Sequence, residues 1–154
     1  MQLDQSLSIL QRYLTRMWNA DALIHESGEL SYSEFEYLSI LNNCMGDECD
    51  MVDNDGPHLS VLAEKMQLRK ASVSSMVRKL EKKGLVERVQ CRYDARAQHV
   101  LLTKEGEALL QHAQQIYDRA AARIRQELDE AGYQALEHAL GKVCAQLQTG
   151  NDAK

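Results

Sequence analysis

The segment from residue 58 to residue 103 constrains the fold most, because the spacing of its apolar residues changes in the middle. HLSVLAEKM predicts a short helix, QLRK breaks it, and ASVSSMVRKLEKKG predicts a second helix that Gly84 ends. The next stretches, LVERVQ and QHVLLT, predict two short strands joined by a tip around residues 92–96. We therefore expect two helices with a tight turn between them, followed by a β-hairpin wing.

The composition favours a mainly helical protein. Of 154 residues, 44% are hydrophobic and 27% are charged, which is typical of one globular domain with a core. One proline, eight glycines and 5% aromatic residues disfavour a turn-rich β-sandwich. The expected fold class is mainly α with a small β-hairpin wing.

Location and redox state also follow from the sequence. No stretch reaches the roughly 20 apolar residues that cross a bilayer, and the first ten residues hold no basic group. We therefore expect a cytoplasmic protein with no membrane partner. Reduced thiols, without a disulfide, are then expected at all four cysteines: Cys44, Cys49, Cys91 and Cys144.

Positive charge is concentrated in one segment of an acidic chain. The net charge is −5, yet residues 69–104 hold ten basic and three acidic side chains, which predicts contact with phosphates there. In the second helix the expected buried stripe is Val73, Met76, Val77 and Leu80. The remaining face is small and basic, and consists of Ala71, Ser72, Ser74, Ser75, Arg78, Lys79 and Lys82. Such a face suits the major groove of DNA, and a wing arginine suits the neighbouring minor groove.

Both ends of the chain predict amphipathic helices. Near the N-terminus, apolar residues recur at steps of three and four: Leu3, Leu7, Leu10, Leu14 and Met17. The same spacing recurs near the C-terminus: Tyr133, Leu136, Leu140, Val143 and Leu147. Because so small a chain offers little for these seams to cover, we predict that they pack against a second copy in a homodimer. The alternative is that they cover the core of their own chain.

The sequence resembles the MarR family of bacterial winged helix-turn-helix regulators over residues 30–110. The resemblance rests on LAEKMQLRKASVSSMVRKLEKKGLVER, on the spacing Asp94-x-Arg96 and on Leu102-Thr103-x-x-Gly106. It implies a single domain over residues 1–154, with dimerisation helices in 1–30 and 106–148 and a winged helix-turn-helix DNA-binding lobe in 31–105. It further implies that the recognition helices of a dimer read two half-sites of a pseudo-palindromic operator.

The expected contacts to double-stranded DNA combine the charge pattern with this resemblance. By the resemblance, Ser72, Ser74, Ser75 and Arg78 lie on the recognition face, and Arg96 is the wing arginine. The full predicted set is Lys70, Ser72, Ser74, Ser75, Arg78, Lys79, Arg92 and Arg96. The sequence departs from the family pattern at four positions, which are Gln67 in place of a turn glycine, Ser75, Cys91 and Tyr93. A different operator preference is therefore expected.

The resemblance also implies that an effector releases DNA. A small organic ligand would bind in a crevice lined by Trp18, Ile24, His25 and Phe35, although these residues are equally consistent with core packing. An oxidant would act on Cys91, which is next to Arg92, whereas the acidic neighbours of Cys49 disfavour its thiolate. The alternative at Cys91 is an inert surface thiol.

A metal ion is the third kind of effector. The resemblance brings His25, Glu26 and His112 near one another, and Cys44, Cys49 and His58 form a weaker set in an acidic loop. Neither set has the tight ligand spacing typical of a zinc site, and lone histidines usually pack or face solvent. No metal and no cofactor are therefore predicted.

These features together predict a homodimeric, DNA-binding transcription regulator, and the resemblance favours a repressor that an effector releases. An enzyme is disfavoured because the chain has no Gly-rich phosphate loop and no paired-carboxylate or Ser/His/Asp arrangement. Two alternatives stay open. One is a winged-helix protein-interaction adaptor without sequence-specific DNA binding, and the other is a cysteine-based redox sensor of the same family.

Overall fold

A computed structural model describes residues 2–26, 30–44 and 56–149, apart from the side chains of residues 25, 26, 148 and 149. Its elements in chain order are α1 (Leu3–Asn19), α2 (Ala22–Glu26), α3 (Tyr32–Asn43), α4 (Leu59–Lys65), α5 (Lys70–Lys82), β1 (Val86–Gln90), β2 (Gln98–Leu102), α6 (Lys104–Gln126) and α7 (Glu130–Thr149). The fold is mainly helical with one two-stranded antiparallel hairpin, which confirms the predicted fold class. Within the ranges above, no helix is long and apolar enough to span a membrane. Cys49 and the acidic loop around it lie outside the described residues.

Contacts within the chain divide it into two compact units, and the division falls inside α6. The first unit ends at Gln114 and the second begins at Gln115. The first unit therefore contains α1 and α2 as well as the elements predicted to form the DNA-binding lobe. The boundaries after residues 30 and 105, and the assignment of the terminal helices to a dimer, stay predictions.

The core of the first unit lies around α3. Leu38 is fully buried, and the ring of Trp18 from α1 meets the ring of Phe35 edge-on at a centroid distance of 5.1 Å. A capping box begins the helix, since the Ser31 hydroxyl accepts from the Glu34 N–H and the Glu34 carboxylate accepts from the Ser31 N–H at 2.7 Å. The start of α3, and with it the position of Glu34, is fixed locally.

The helices α4 and α5 end in the same way. The residue after each C-cap has a positive φ, 52° at Gln67 and 72° at Gly84. In both turns this residue and its successor donate their N–H groups back to carbonyls of the last helical turn, as in a Schellman motif. Glycine adopts this conformation freely, whereas the Cβ of Gln67 strains it. The departure seen in the sequence at Gln67 therefore falls on a position that favours glycine.

Thr103 joins the wing to α6. Its hydroxyl donates to the Gly84 carbonyl at 2.6 Å and accepts from the Gly106 N–H at 3.0 Å. A Cβ on Gly106 would lie 2.0 Å from the carbonyl oxygen of Leu85, so the backbone approach requires glycine. The Leu102-Thr103-x-x-Gly106 motif therefore has a structural role at the junction of hairpin and helix.

The second unit contains the turn between α6 and α7. The guanidinium of Arg125 lies over the ring of Tyr133 at 5.0 Å. The predicted C-terminal apolar seam is present on α7, and its last three members are exposed to 48%, 53% and 61% at Leu140, Val143 and Leu147. This seam is open to solvent in the single chain.

Candidate nucleic-acid interface

The outer face of α5 agrees with the predicted one except at its edge. The buried stripe is Val73, Val77 and Leu80. Exposed side chains cover the opposite face: Lys70, Ala71, Ser72, Ser75, Arg78, Lys79 and Lys82. Ser74, expected to face outward, is half-buried, and Met76, expected to be buried, is also half-buried. Both corrections have one cause, since at 3.6 residues per turn these two positions flank the stripe on either side.

Glu34 of α3 is buried and pairs with two lysines at the C-terminal end of α5. Its side chain is 0% exposed, and the Nζ atoms of Lys83 and Lys79 lie 2.8 and 3.2 Å from its Oε1. Burial alone would raise the pKa of Glu34, but hydrogen bonds from Lys83, Ser31 and Lys79 outweigh burial and lower the pKa to about 2. The carboxylate therefore stays charged at neutral pH and ties the C-terminal end of α5 to α3.

This pair also bears on the predicted DNA contact of Lys79. The ammonium of Lys79 is engaged with Glu34, although the side chain is 56% exposed. Its contact with DNA stays a prediction, and its charge is partly neutralised from within the protein.

Polar side chains organise the tip of the wing. The side-chain amide of Gln90 donates to the carbonyls of Ala95 and Ala97 at 2.8 and 2.9 Å. The Asp94 carboxylate accepts from the N–H of Arg96 at 2.8 Å, which is the geometry of an Asx turn. The spacing Asp94-x-Arg96 therefore shapes the tip, and Arg96 projects from it with an exposed side chain.

The arginines around this surface are not equivalent. Arg88 of β1 donates from two guanidinium nitrogens to one carboxylate oxygen of Glu81 and is engaged inside the protein. Arg78 and Arg96 are exposed, and no side chain or backbone group in the described part of the chain bonds to their guanidinium groups. Arg92 is exposed but has an interaction of its own. Of the arginines predicted to contact DNA, Arg78 and Arg96 are thus the ones most available to an external anion.

Two residues predicted to line a crevice for an organic ligand are packed in the core. Trp18 and Phe35 are 8% and 6% exposed, and the indole N–H of Trp18 donates to the carbonyl of Leu30 at 3.2 Å. Ile24 is fully buried as well, and the side chain of His25 lies outside the described residues. The geometry favours the alternative of core packing for Trp18, Ile24 and Phe35.

Of the candidate metal ligands His25, Glu26 and His112, the structure describes only the side chain of His112. His112 Nε2 lies 2.8 Å from a carboxylate oxygen of Asp21, so this ring nitrogen already has a partner. The side chains of His25 and Glu26, which complete the predicted set, lie outside the described residues. Of the weaker set, Cys44 is buried, and Cys49 is not described.

A different cluster, which the sequence analysis missed, lies at the base of the wing. Cys91 follows β1, His99 lies in β2 opposite Val89, and His58 precedes α4. One potential ligand atom from each of Cys91, His58 and His99 lies within 4.8 Å of the others. Cys91 is only 6% exposed, so the expectation of a surface thiol is wrong. The sequence carries no signal for this cluster, because a β-bridge between His58 and His99 assembles it from distant segments.

The helix pair, the tight turn and the hairpin define a winged helix-turn-helix protein, and comparisons with known proteins agree. The MarR family model matches residues 52–97. An uncharacterized HTH-type transcriptional regulator of Bacillus subtilis (strain 168), YhbI, is 35% identical over 85 residues, a match that covers 55% of this chain and 55% of that relative.

Solved structures give the same result for the fold. The S. aureus MepR–DNA complex has a TM-score of 0.66 at 19% identity and covers 95% of this chain and 98% of that one. Wild-type MarR from E. coli in its apo form has a TM-score of 0.64 at 19% identity, with coverage of 93% and 96%. The chain therefore resembles the MarR family over residues 52–97, spans about half the length of the relative that it matches, and has the fold of the solved MarR and MepR structures.

Proposed function

We propose that this chain is a DNA-binding transcription regulator that acts as a homodimer on a pseudo-palindromic operator. One observation carries the proposal: a helix with an exposed face of serines and basic side chains lies in the same unit as a wing that presents a free arginine. The match to the MarR family model supports it, as does the similar fold of S. aureus MepR, which has been crystallised with DNA. The acidic remainder of the chain limits phosphate contacts to this surface.

In this proposal α5 enters the major groove. The small side chains of Ser72 and Ser75 allow close approach and donate hydrogen bonds, while Lys70 in the first turn of α5 reaches a phosphate. Arg78 lies one turn or more further along the helix and reads a guanine edge or binds a phosphate. The ion pair of Glu34 with Lys83 fixes the orientation of the helix from behind.

The wing supplies the second contact. Arg96 enters the neighbouring minor groove, where narrow tracts strengthen the negative potential, and Arg92 contributes at its edge. Because the Asx turn at Asp94 orders the backbone of the tip, less conformational entropy is lost when the wing docks.

Fluorescence anisotropy across a series of salt concentrations tests DNA binding. It compares a duplex from upstream of the gene that encodes this protein with a duplex of scrambled sequence. Alanine at Arg78 or Arg96 is expected to weaken specific binding by about 1–3 kcal/mol where the contact is to a base. Where the contact is to a phosphate, the slope of log affinity against log salt concentration should fall in magnitude by about one. Arg123→Ala is the matched control, because this exposed arginine of α6 pairs with Glu127 and lies in the second unit. Unchanged binding in both variants would favour the adaptor alternative.

The homodimer is proposed from the exposed seams of the terminal helices. On α1, Leu3 and Leu7 are 75% and 54% exposed, and on α7 the seam ending at Leu147 is similarly open. Contiguous apolar faces of this kind are normally covered, and two seams on one chain fit a second copy of that chain.

Sedimentation velocity tests the dimer. We expect a dimer for the unmodified chain and a shift towards monomer for Leu140→Glu combined with Val143→Glu. His138→Glu is the control, because it introduces a carboxylate at an exposed position on the opposite side of α7. A monomer at all concentrations for the unmodified chain would contradict the dimer.

The regulator is further proposed to be a cytoplasmic repressor that a small-molecule effector releases. The family resemblance supports repression, and an organic effector is supported by S. aureus MepR, a similar structure with ethidium bromide bound. Deletion of the gene should raise the transcripts of its targets. A fall in those transcripts would identify an activator.

A further inference from the structure

Two histidines and a cysteine meet at the base of the wing, and their environment is unlike that of ordinary core residues. His99 and Cys91 are 2% and 6% exposed, and the rings of His58 and His99 are 4.1 Å apart. The Nε2 atom of His58 is buried without a hydrogen-bond partner in the described structure. A buried, unpaired ring nitrogen beside a thiol requires an explanation, and a bound ion is one.

The orientation of His99 prepares one of its nitrogens to bind a metal. Its Nδ1 lies 2.8 Å from the carbonyl oxygen of Gly56. A carbonyl only accepts, so Nδ1 carries the proton and Nε2 keeps its lone pair. Metal-bound histidines are commonly held in this way, with the second ring nitrogen donating to a backbone carbonyl.

We infer that His58, Cys91 and His99 bind a zinc ion. Two imidazoles and one thiolate are borderline-to-soft ligands that suit zinc and do not suit magnesium or calcium. Zinc bonds of about 2.0 Å to nitrogen and 2.3 Å to sulfur place tetrahedral ligand atoms about 3.5 Å apart. The three ligand atoms already lie within 4.8 Å of one another, so small side-chain rotations close the site. Water supplies the fourth ligand, because His58 is only half-buried.

The ligands come from elements that must keep a fixed arrangement in a winged helix-turn-helix protein. His58 is the N-cap of α4, Cys91 follows β1 and His99 lies in β2. In the described part of the chain, a β-bridge between residues 58 and 99 links the backbone before α4 to the wing, and the Val100 N–H to Pro57 carbonyl bond at 3.0 Å is part of this bridge. A zinc ion would therefore clamp the wing to the first helix of the helix-turn-helix.

Cobalt(II) is the probe, because it replaces zinc and its bond to a thiolate gives a charge-transfer absorption. The full-length protein, reduced with a phosphine that does not bind metals, is titrated with cobalt(II) and then with zinc(II). We expect one cobalt per chain with thiolate charge transfer, and displacement by one equivalent of zinc. Absence of a saturating charge-transfer band, or failure of zinc to displace cobalt, would overturn the site.

Variants assign the ligands. Cys91→Ser should remove the charge-transfer band, and His99→Asn, which keeps a donor for the Gly56 carbonyl, should weaken zinc binding at least about tenfold. Of the three ligand variants, His58→Gln is the one expected to disturb folding least, because this side chain is half-buried and its Nε2 has no partner. Cys144→Ser and His138→Asn are controls, since both residues are exposed on α7. A band that persists in folded Cys91→Ser, or zinc affinity unchanged in folded His58→Gln, would refute the proposal.

Protection of the amide of Val100 from hydrogen exchange gives an independent readout. Zinc should slow exchange at this amide in the unmodified protein and leave it unchanged in the Cys91→Ser variant. This measurement does not depend on DNA, so a failure of the zinc site and a failure of the proposed DNA binding are distinguishable.

Discussion

Replacing Glu34 by glutamine isolates the charge of the buried pair that ties α5 to α3. Glutamine has nearly the same shape and can still accept from the Ser31 N–H, so the capping box survives. What it cannot do is attract the ammonium groups of Lys83 and Lys79, which lie 2.8 and 3.2 Å from Oε1. The substitution therefore tests the ion pairs and leaves the packing of the helix intact.

The magnitude follows from the pKa of Glu34. Lowering this pKa from 4.5 to about 2 corresponds to about 3 kcal/mol of folding free energy when the group is ionised. The carboxylate is 0% exposed, but Lys79 is 56% exposed and its contribution is screened by solvent. We therefore expect Glu34→Gln to lower the free energy of unfolding at pH 7 by about 2–3 kcal/mol.

The pH dependence gives the same test a second readout. Because the folded pKa is below the ordinary value, the stabilisation is complete above about pH 5 and is lost as the pH falls towards 2. The difference between Glu34→Gln and the unmodified protein should therefore shrink to less than half at pH 3.

Urea unfolding at pH 7 and pH 3, at one protein concentration, measures both quantities. Glu36→Gln is the matched control, because Glu36 lies two residues further along α3 and is exposed. The reasoning would be refuted if Glu34→Gln lowered the free energy of unfolding by less than about 1 kcal/mol at pH 7, or by the same amount at both pH values.

Three further substitutions test the backbone geometry, each by its effect on the urea midpoint. Gly106→Ala should destabilise the fold by about 2 kcal/mol or more, because its Cβ would lie 2.0 Å from the Leu85 carbonyl oxygen. An unchanged midpoint would show that the close approach of residue 106 to the Leu85 backbone does not require glycine. Gly141→Ala is its control, since nothing lies within 4 Å of that Cβ, and it should stabilise α7 by up to about 1 kcal/mol. Gln67→Gly should stabilise the turn after α4 by about 0.5–1 kcal/mol, because φ is 52° there; destabilisation would contradict the assigned strain.

Much of the fold could be predicted because local rules dominate it. The apolar spacing located α4 and α5, the alternation located both strands, and Gly84 marked the end of α5. Helix period, strand period and turn chemistry depend on neighbours along the chain, so a sequence read alone contains them. The small and basic face of α5 was predictable for the same reason, except for Ser74 and Met76 at its edges.

Fewer of the side-chain contacts at the site could be predicted. It could not show that Lys79 and Lys83 pair with Glu34, because that contact joins two helices separated along the chain. Nor could it separate Arg88, which is held by Glu81, from the free Arg78 and Arg96.

From the residues alone, the helix-turn-helix with its wing, the fold class and the basic surface can all be predicted. The folded chain adds which charges are free, that Trp18 and Phe35 are core residues, and that His58, Cys91 and His99 meet. This division arises because periodicity and propensity act over a few residues. Burial, ion pairing and metal coordination depend on segments brought together by folding, and no local pattern encodes which segments those are.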